Sequence, residues 1–346
     1  MDADVTATTA GRPAPVASGP ILALDLGASR IRVAVVAPDG RVLGRGEGRT
    51  PGAEGGPAVV EACRRQLAAV RDRLNDAVRQ SLVGIAISAP GPLDPRTGTL
   101  IDPPNIGPRV RDLSLAVPLA QALALPAVME RDTNVAALGE LRYGVAQSAA
   151  DFLYLTVSTG LGGAIVAGGE LYGGADGLAG EIGHLPVALD WPPCGCGGAG
   201  HLEATSSGSG IVRQALIAVD EERASGLAAL VDGIGRSALE ARHVAEAADA
   251  GDRDAQAIIE FARRSFAAAI VGLVNTFNPE LIVVGGSVAV AQGDRLLGLA
   301  RHEVERVAFR VPGARVRIVP AALGDDVGLL GGQPLFGIRG PGQGRF

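Results

Sequence analysis

Apolar positions between Ile21 and Val36 fall into two short runs broken by a small polar turn, "ILALDLGASRIRVAVV". Runs this short, rich in β-branched residues and bounded by Gly, Ser and Asp, read as strands. The chain continues through "RVLGRGEG" as a third strand, with "PDG" marking the second turn. A helical stretch from Ala58 to Gln80 is expected next, then the buried strand "LVGIAIS" and a Gly/Pro-rich loop, "APGPLDPRTGTLIDPPNIGP". A short amphipathic helix near Leu115 to Leu123 leads into the strand "PAVME", and "RDTNVAALGELRYG" opens another helix. At Asp151 the pattern restarts: "DFLYLTVSTGLGGAIVAGGELYGG" is again strand, glycine turn, strand. Helices follow, and "LIVVGGSVA" is a strand ending in glycines. Each half thus opens in the same way without sequence identity between them, a structural echo and not a sequence repeat. The boundary is expected near residues 144–151.

Composition narrows the class. The 346 residues suffice for two domains, and 47% hydrophobic with 20% charged residues reads as globular. With only 3% aromatics, the core must be built from Ala, Val, Leu and Ile. A net charge of -6 gives no electrostatic case for nucleic acid or an anionic membrane. Three cysteines cannot make a disulfide framework, no apolar run is long enough to span a membrane, and the first residues lack a signal pattern. A cytoplasmic protein with a mobile N-terminal tail is expected. All 31 basic residues are Arg. The absence of Lys removes the GxxxxGK[ST] phosphate loop, pyridoxal-phosphate Schiff bases and every lysine nucleophile.

Four segments carry chemistry. In "LDLGAS", Asp25 ends a strand and is followed by a turn with Gly27 and Ser29, where backbone amides and a hydroxyl could receive a phosphate. Alone it reads as a hairpin with a turn-capping Asp. The matching turn "STGLGG" (Ser158 to Gly163) puts the phosphate reading on an equal footing. "GCGGAG" formally fits GxGxxG, but no strand precedes it, and a dinucleotide site is rejected. "CGCGGAGHLEA" is better read as metal ligation. Cys194, Cys196 and His201, with His184 as a fourth ligand, make a two-Cys, two-His set suited to tetrahedral zinc. Two of three cysteines and two of four histidines lie within eighteen residues, which favours a metal over incidental thiols. Four protein ligands leave no open position, so the metal would be structural. In "MERDTNVAALGE", Asp132 stands at a strand–helix junction, where it could serve as a general base or simply as an N-cap.

These segments, in this order, resemble the ROK family of bacterial sugar kinases and sugar-responsive repressors, in the actin-like ATPase superfamily. "LDLGAS" and "STGLGGAIVAGGELYGGADGLAGEIGH" resemble its two phosphate motifs, the latter with the family signature. "GIAISAPGPLDPRTGTLIDPPNIG" resembles its sugar-domain signature, and "ERDTNVAALGE" its Glu-Asn-Asp-Ala-Asn segment. "CGCGGAGHLEA" is similar to its zinc loop and "NTFNPELIVVGGSV" to its adenosine-side motif. The resemblance runs from about Gly19 to about Pro334. It implies an α/β, actin-like ATPase (ribonuclease H-like) fold, with two domains around an interdomain cleft. Residues 1–19 would form a disordered tail, 20–147 the first domain and 148–346 the second, its last helix packing back on the first.

The resemblance implies Asp132 as the base on a sugar 6-hydroxyl and Asp25 as the organiser of Mg2+. Gly27, Ser29, Thr159 and Gly160 would surround the phosphates of ATP, and Gly285 and Gly286 would border its adenosine. Asn105, Glu181, His184 and Glu203 would contact sugar hydroxyls. The chain departs from the family pattern at Ala28, where a second Gly is usual, and at Ser29, where Thr is usual. The tryptophan usual after "PNIG" is missing, and His201 stands where the family has a third zinc cysteine. Arg131 replaces an Asn that touches a sugar hydroxyl. Arg is larger, cationic and donor-only, so it bears on which sugar is bound. The reading is an ATP-dependent hexose 6-kinase for glucose or an amino sugar such as kanosamine, expected to be a homodimer. The alternatives are a sugar-sensing regulator and a catalytically dead sugar-binding protein. Only about twenty residues, without helical patterning, precede the first phosphate motif, which disfavours the regulator.

Overall fold

The computed structural model describes residues 14–103 and 105–341; of the tail expected over 1–19, residues 1–13 lie outside the described residues. The first half runs β1 (Ile21–Leu26), β2 (Arg30–Val36), β3 (Val42–Arg49), α1 (Gly56–Asp72), α2 (Asp76–Gln80) and β4 (Gly84–Ala89). Three two-residue strands follow, β5 (Leu93–Asp94), β6 (Thr99–Leu100) and β7 (Leu113–Ser114), then α3 (Ala116–Leu123), β8 (Ala127–Arg131) and α4 (Asp132–Tyr143). The second half begins with β9 (Phe152–Val157), β10 (Leu161–Ala167) and β11 (Glu170–Leu171). Five helices follow: α5 (Leu202–Ser206), α6 (Gly208–Asp220), α7 (Ser225–Ile234), α8 (Ala241–Asp249) and α9 (Arg253–Phe277). The chain ends with β12 (Leu281–Gly285), α10 (Ser287–Gln292), α11 (Asp294–Val307), α12 (Arg310–Arg315), β13 (Arg317–Pro320), α13 (Val327–Leu330) and α14 (Gly332–Arg339).

Two five-stranded sheets carry the α/β architecture, with orders β3-β2-β1-β4-β8 and β11-β10-β9-β12-β13. In the first, β1 pairs antiparallel with β2 and parallel with β4, and β4 pairs parallel with β8. In the second, β12 runs parallel to both β9 and β13, while β10 and β11 pair antiparallel. The strand–turn–strand openings seen in the sequence therefore start two sheets of the same design. Two details differ from the sequence reading. The single helix over 58–80 is two, because the Asn75 side chain accepts from Val78 N at 2.9 Å and starts α2 afresh. The Gly/Pro-rich loop holds the small sheet β5-β6-β7.

By its internal contacts the chain divides into two units. One comprises the chain up to Ala150, Ile165–Ala179, and everything from Ala322 onward; the other is Asp151–Ala164 with Gly180–Ala321. In the first unit every residue of β1 and β4 is buried, as strands covered on both faces must be. Leu22, Leu24 and Leu26 join one core with Val59, Leu67 and Leu119. Ile21 and Ala23, pointing the other way, join a second core with Val135, Leu335 and Phe336. In the second unit the α6–α9 helices share a core built on Ile211, Leu227, Val244 and Ile259. Among the described residues no helix is long and apolar enough to cross a membrane.

Candidate active site

In the first unit, Asp25 is the penultimate residue of β1, opposite Arg32 in the antiparallel register with β2 and level with Ser88 on β4. The residue is buried, and both of its carboxylate oxygens accept hydrogen bonds. Arg32 donates to Oδ2 from Nε at 3.0 Å and Nη2 at 2.5 Å, and Ser88 Oγ donates to Oδ1 at 3.0 Å. The turn after it is closed by Gly27 N donating to Arg30 O at 2.8 Å. Thr50 donates from Oγ1 to Gly27 O at 2.8 Å and from N to Ser29 O at 3.0 Å. Ala28 and Ser29 are exposed on this turn. Among the described residues their amides and the Ser29 hydroxyl make no hydrogen bond, and they remain available to an anion.

Asp132 is the first residue of α4, with Arg131 as the N-cap. Its side chain is exposed and Oδ1 accepts from Thr133 N at 2.7 Å. A carboxylate in a helix's first turn is held by the dipole and the free amides there. Arg131, by contrast, is 3% exposed. Its Nη2 donates to the Ala179 carbonyl and, at 3.4 Å, to Asn134 Oδ1, so part of its donor set serves the protein. Beside it the buried Glu130 accepts from Arg131 N at 2.8 Å and Asn134 Nδ2 at 3.0 Å, and pairs with Arg339. Asn105 lies exposed in a turn.

The second unit holds the other predicted residues, and Glu203 lies against Gly160 and Leu161. Gly286 is the N-cap of α10 at φ +95°, and a Cβ there would stand 2.4 Å from Val157 O, so only glycine fits. Ser158 and Ser287 share a hydroxyl hydrogen bond at 2.9 Å. Thr159 is exposed, and its carbonyl accepts from Ser209 N at 2.9 Å. Glu203 Oε2 accepts from Leu161 N at 3.1 Å, and a Cβ on Gly160 would meet that same oxygen at 2.9 Å. Gly183, between Glu181 and His184 in sequence neighbourhood, sits against Leu161 O and the Glu203 Cβ. Glu181 is exposed.

His184, Cys194, Cys196 and His201 place their ligand atoms within 4.8 Å of one another. Cys196 Sγ and His201 Nδ1 are 3.3 Å apart, and the rings of His184 and His201 meet edge to face. Tetrahedral zinc with the usual Zn–S and Zn–N lengths separates its donors by about 3.3–3.8 Å. The quartet fits that ion with small adjustment. Burial pushes the Cys194 thiol above its ordinary value. A bound metal reverses that preference by stabilising the thiolate. Backbone bonds shape the loop: Cys194 N donates to Gly198 O at 2.7 Å and Gly200 N to Pro192 O at 2.9 Å. Trp191, the chain's single tryptophan, leans on Phe261 of α9 with ring centroids 5.7 Å apart.

Sequence reasoning missed Arg32 and Ser88, whose roles depend on strand register. It also missed Glu140, fully buried on α4, which accepts from Val145, Ala322 and Leu323 backbone amides at 2.8–3.0 Å. A glutamate among Ala, Leu and Gly in a helix was its only signal.

A family model described as "ROK family" matches residues 21–337. A glucokinase of Halalkalibacterium halodurans is 37% identical, over 89% of this chain and 92% of that protein. An N-acetylmannosamine kinase of Escherichia fergusonii is 33% identical, over 90% of this chain and 96% of that protein. Among solved structures, a ROK family glucokinase from Streptomyces griseus in complex with glucose and AMPPNP superposes with a TM-score of 0.74. It is 32% identical, covering 92% of this chain and 99% of that one. The match over nearly the whole length, in sequence and in fold, places this chain in the ROK family.

Proposed function

We propose that this chain is an ATP-dependent sugar kinase that phosphorylates the 6-hydroxyl of a hexose, glucose or a glucose-like amino sugar. Two kinds of sugar kinase among its full-length relatives support the class of reaction. The observation that carries the residue assignment is Asp132, an exposed carboxylate held at the first turn of α4. As the sugar oxygen attacks the γ-phosphorus, the bond to the ADP leaving oxygen breaks and Asp132 takes the hydroxyl proton. Phosphoryl transfer asks little covalent chemistry of a protein, so positioning and charge neutralisation suffice without lysine.

Ser29, Thr159 and the amides of the two glycine turns bind phosphate oxygens, and Gly285 and Gly286 leave room for the adenosine. Mg2+ held near Asp25 would neutralise charge on the transferring phosphoryl group. Asn105, Glu181, His184 and Glu203 satisfy sugar hydroxyls, since each buried hydroxyl needs a partner. The two-Cys, two-His quartet would hold a structural Zn2+, which fixes the loop bearing His184 and Glu203. Arg131 bears on sugar choice. The test is a coupled ADP-release assay across hexoses and amino hexoses with Mg2+, for the parent and Arg131→Asn. Turnover of no sugar would reject the kinase. An unchanged sugar order in Arg131→Asn would remove Arg131 from specificity.

A further inference from the structure

The carboxylate assigned to the metal is already matched by a cation of the chain itself. Asp25 and Arg32 are register partners across β1 and β2, so both side chains leave the same face of the sheet. Two guanidinium nitrogens converge on Oδ2, and Arg32 Nη1 donates to the Asp325 carbonyl at 2.6 Å, which anchors the far side of the fork. The Asp25 side chain is 11% exposed, whereas 34% of the Arg32 side chain faces solvent. A buried carboxylate without a partner is costly and would repel a polyphosphate. Guanidinium stays charged at every working pH, and this chain has no lysine to supply the charge instead.

Resting on the kinase reading above, we propose that Arg32 is the resident counter-cation of the first phosphate turn. It neutralises Asp25 in the metal-free protein, offers its charge to the nucleotide phosphates, and yields Oδ2 to the Mg2+ that arrives with them. Arg32 and Mg2+ then compete for one oxygen while both favour the same anion. Removing Arg32 therefore moves two quantities in opposite directions, which general damage to the fold does not.

The test is calorimetric binding of ADP to the full chain, first with chelator and then across a Mg2+ titration. For Arg32→Gln, ADP affinity without metal is expected to fall about tenfold, the scale of one charge-assisted contact. The Mg2+ concentration giving half the metal-dependent gain is expected to drop several-fold, because Asp25 is freed. Arg32→Lys, which keeps the charge and loses the fork, is expected to stay within about threefold of the parent without metal. Equal behaviour of Arg32→Gln and parent in both titrations overturns the proposal, as does an equal loss in both. If the parent itself binds no ADP under either condition, the kinase reading fails and this proposal falls with it.

Discussion

A single oxygen decides the chemistry proposed for Asp132. Replacing the carboxylate by an amide keeps the shape at the start of α4 and removes the proton acceptor. Asp132→Asn is expected to lower kcat by about 10²–10⁴, the usual worth of a general base, with sugar affinity kept. Retained turnover in the coupled assay would refute the assignment. Glu140 is a different kind of residue. It is 0% exposed and holds three backbone amides, two of them from Ala322 and Leu323. Glu140→Gln leaves a single acceptor oxygen for those donors and is expected to cost about 2–4 kcal/mol in denaturant unfolding. The local settings of Asp25, Asp132 and the Cys/His quartet were legible in the sequence because they are close in the chain: the end region of a strand, a helix start, an eighteen-residue cluster. The partners of Asp25 and Glu140 were not, because Ser88 lies 63 positions from one and Leu323 183 from the other. Such pairs exist only after the sheet register is set.

At the level of elements, α14 lies against β4 with no room to spare. A Cβ on Gly84 would stand 2.0 Å from the Phe336 ring. Gly84→Ala is expected to destabilise by about 1–3 kcal/mol, and Phe336→Leu beside it to recover part of that loss. Additive losses in a double-mutant cycle would show that the two do not meet. The loop bearing Cys194, Cys196 and His201 is the element that the proposed zinc would hold. Purified protein is expected to carry a full equivalent of zinc, and Cys194→Ser to lose it with a change in Trp191 emission. After chelation Cys194 and Cys196 should react with a thiol reagent. Cys63 should not react until unfolding, since burial pushes its thiol up to about 12. Parent protein without zinc would reject the site. The strands β1 to β4, β8 to β10 and β12 and the helices α1, α3 and α4 could be read from hydrophobic period. The break before α2 and the small sheet could not, because one depends on a capping side chain and the other on loop pairings.

For the whole molecule, the echo between halves was visible as two strand–turn–strand openings, and it became two sheets of one order. The first unit is discontinuous, a feature the hydrophobic pattern did not carry and only the family resemblance implied, through its last helix. Its second core holds Ile21 and Ala23 from the start of the described chain and Leu329, Leu335 and Phe336 from its end. Synthesis delivers those pieces last to first need. When the ribosome has made β1 through α4, the sheet face bearing Ile21, Ala23 and Ala34 has Val135 and Leu138 of α4 against it but still lacks Leu329, Leu335 and Phe336. The unit built from Asp151–Ala164 and Gly180–Ala321 is fully translated before α13 and α14 are. Domains generally fold in the order they emerge, but here the earlier sheet must wait for α13 and α14. The strands β1 to β4 thus leave the exit tunnel with one face only partly covered, and that face is completed when α13 and α14 emerge.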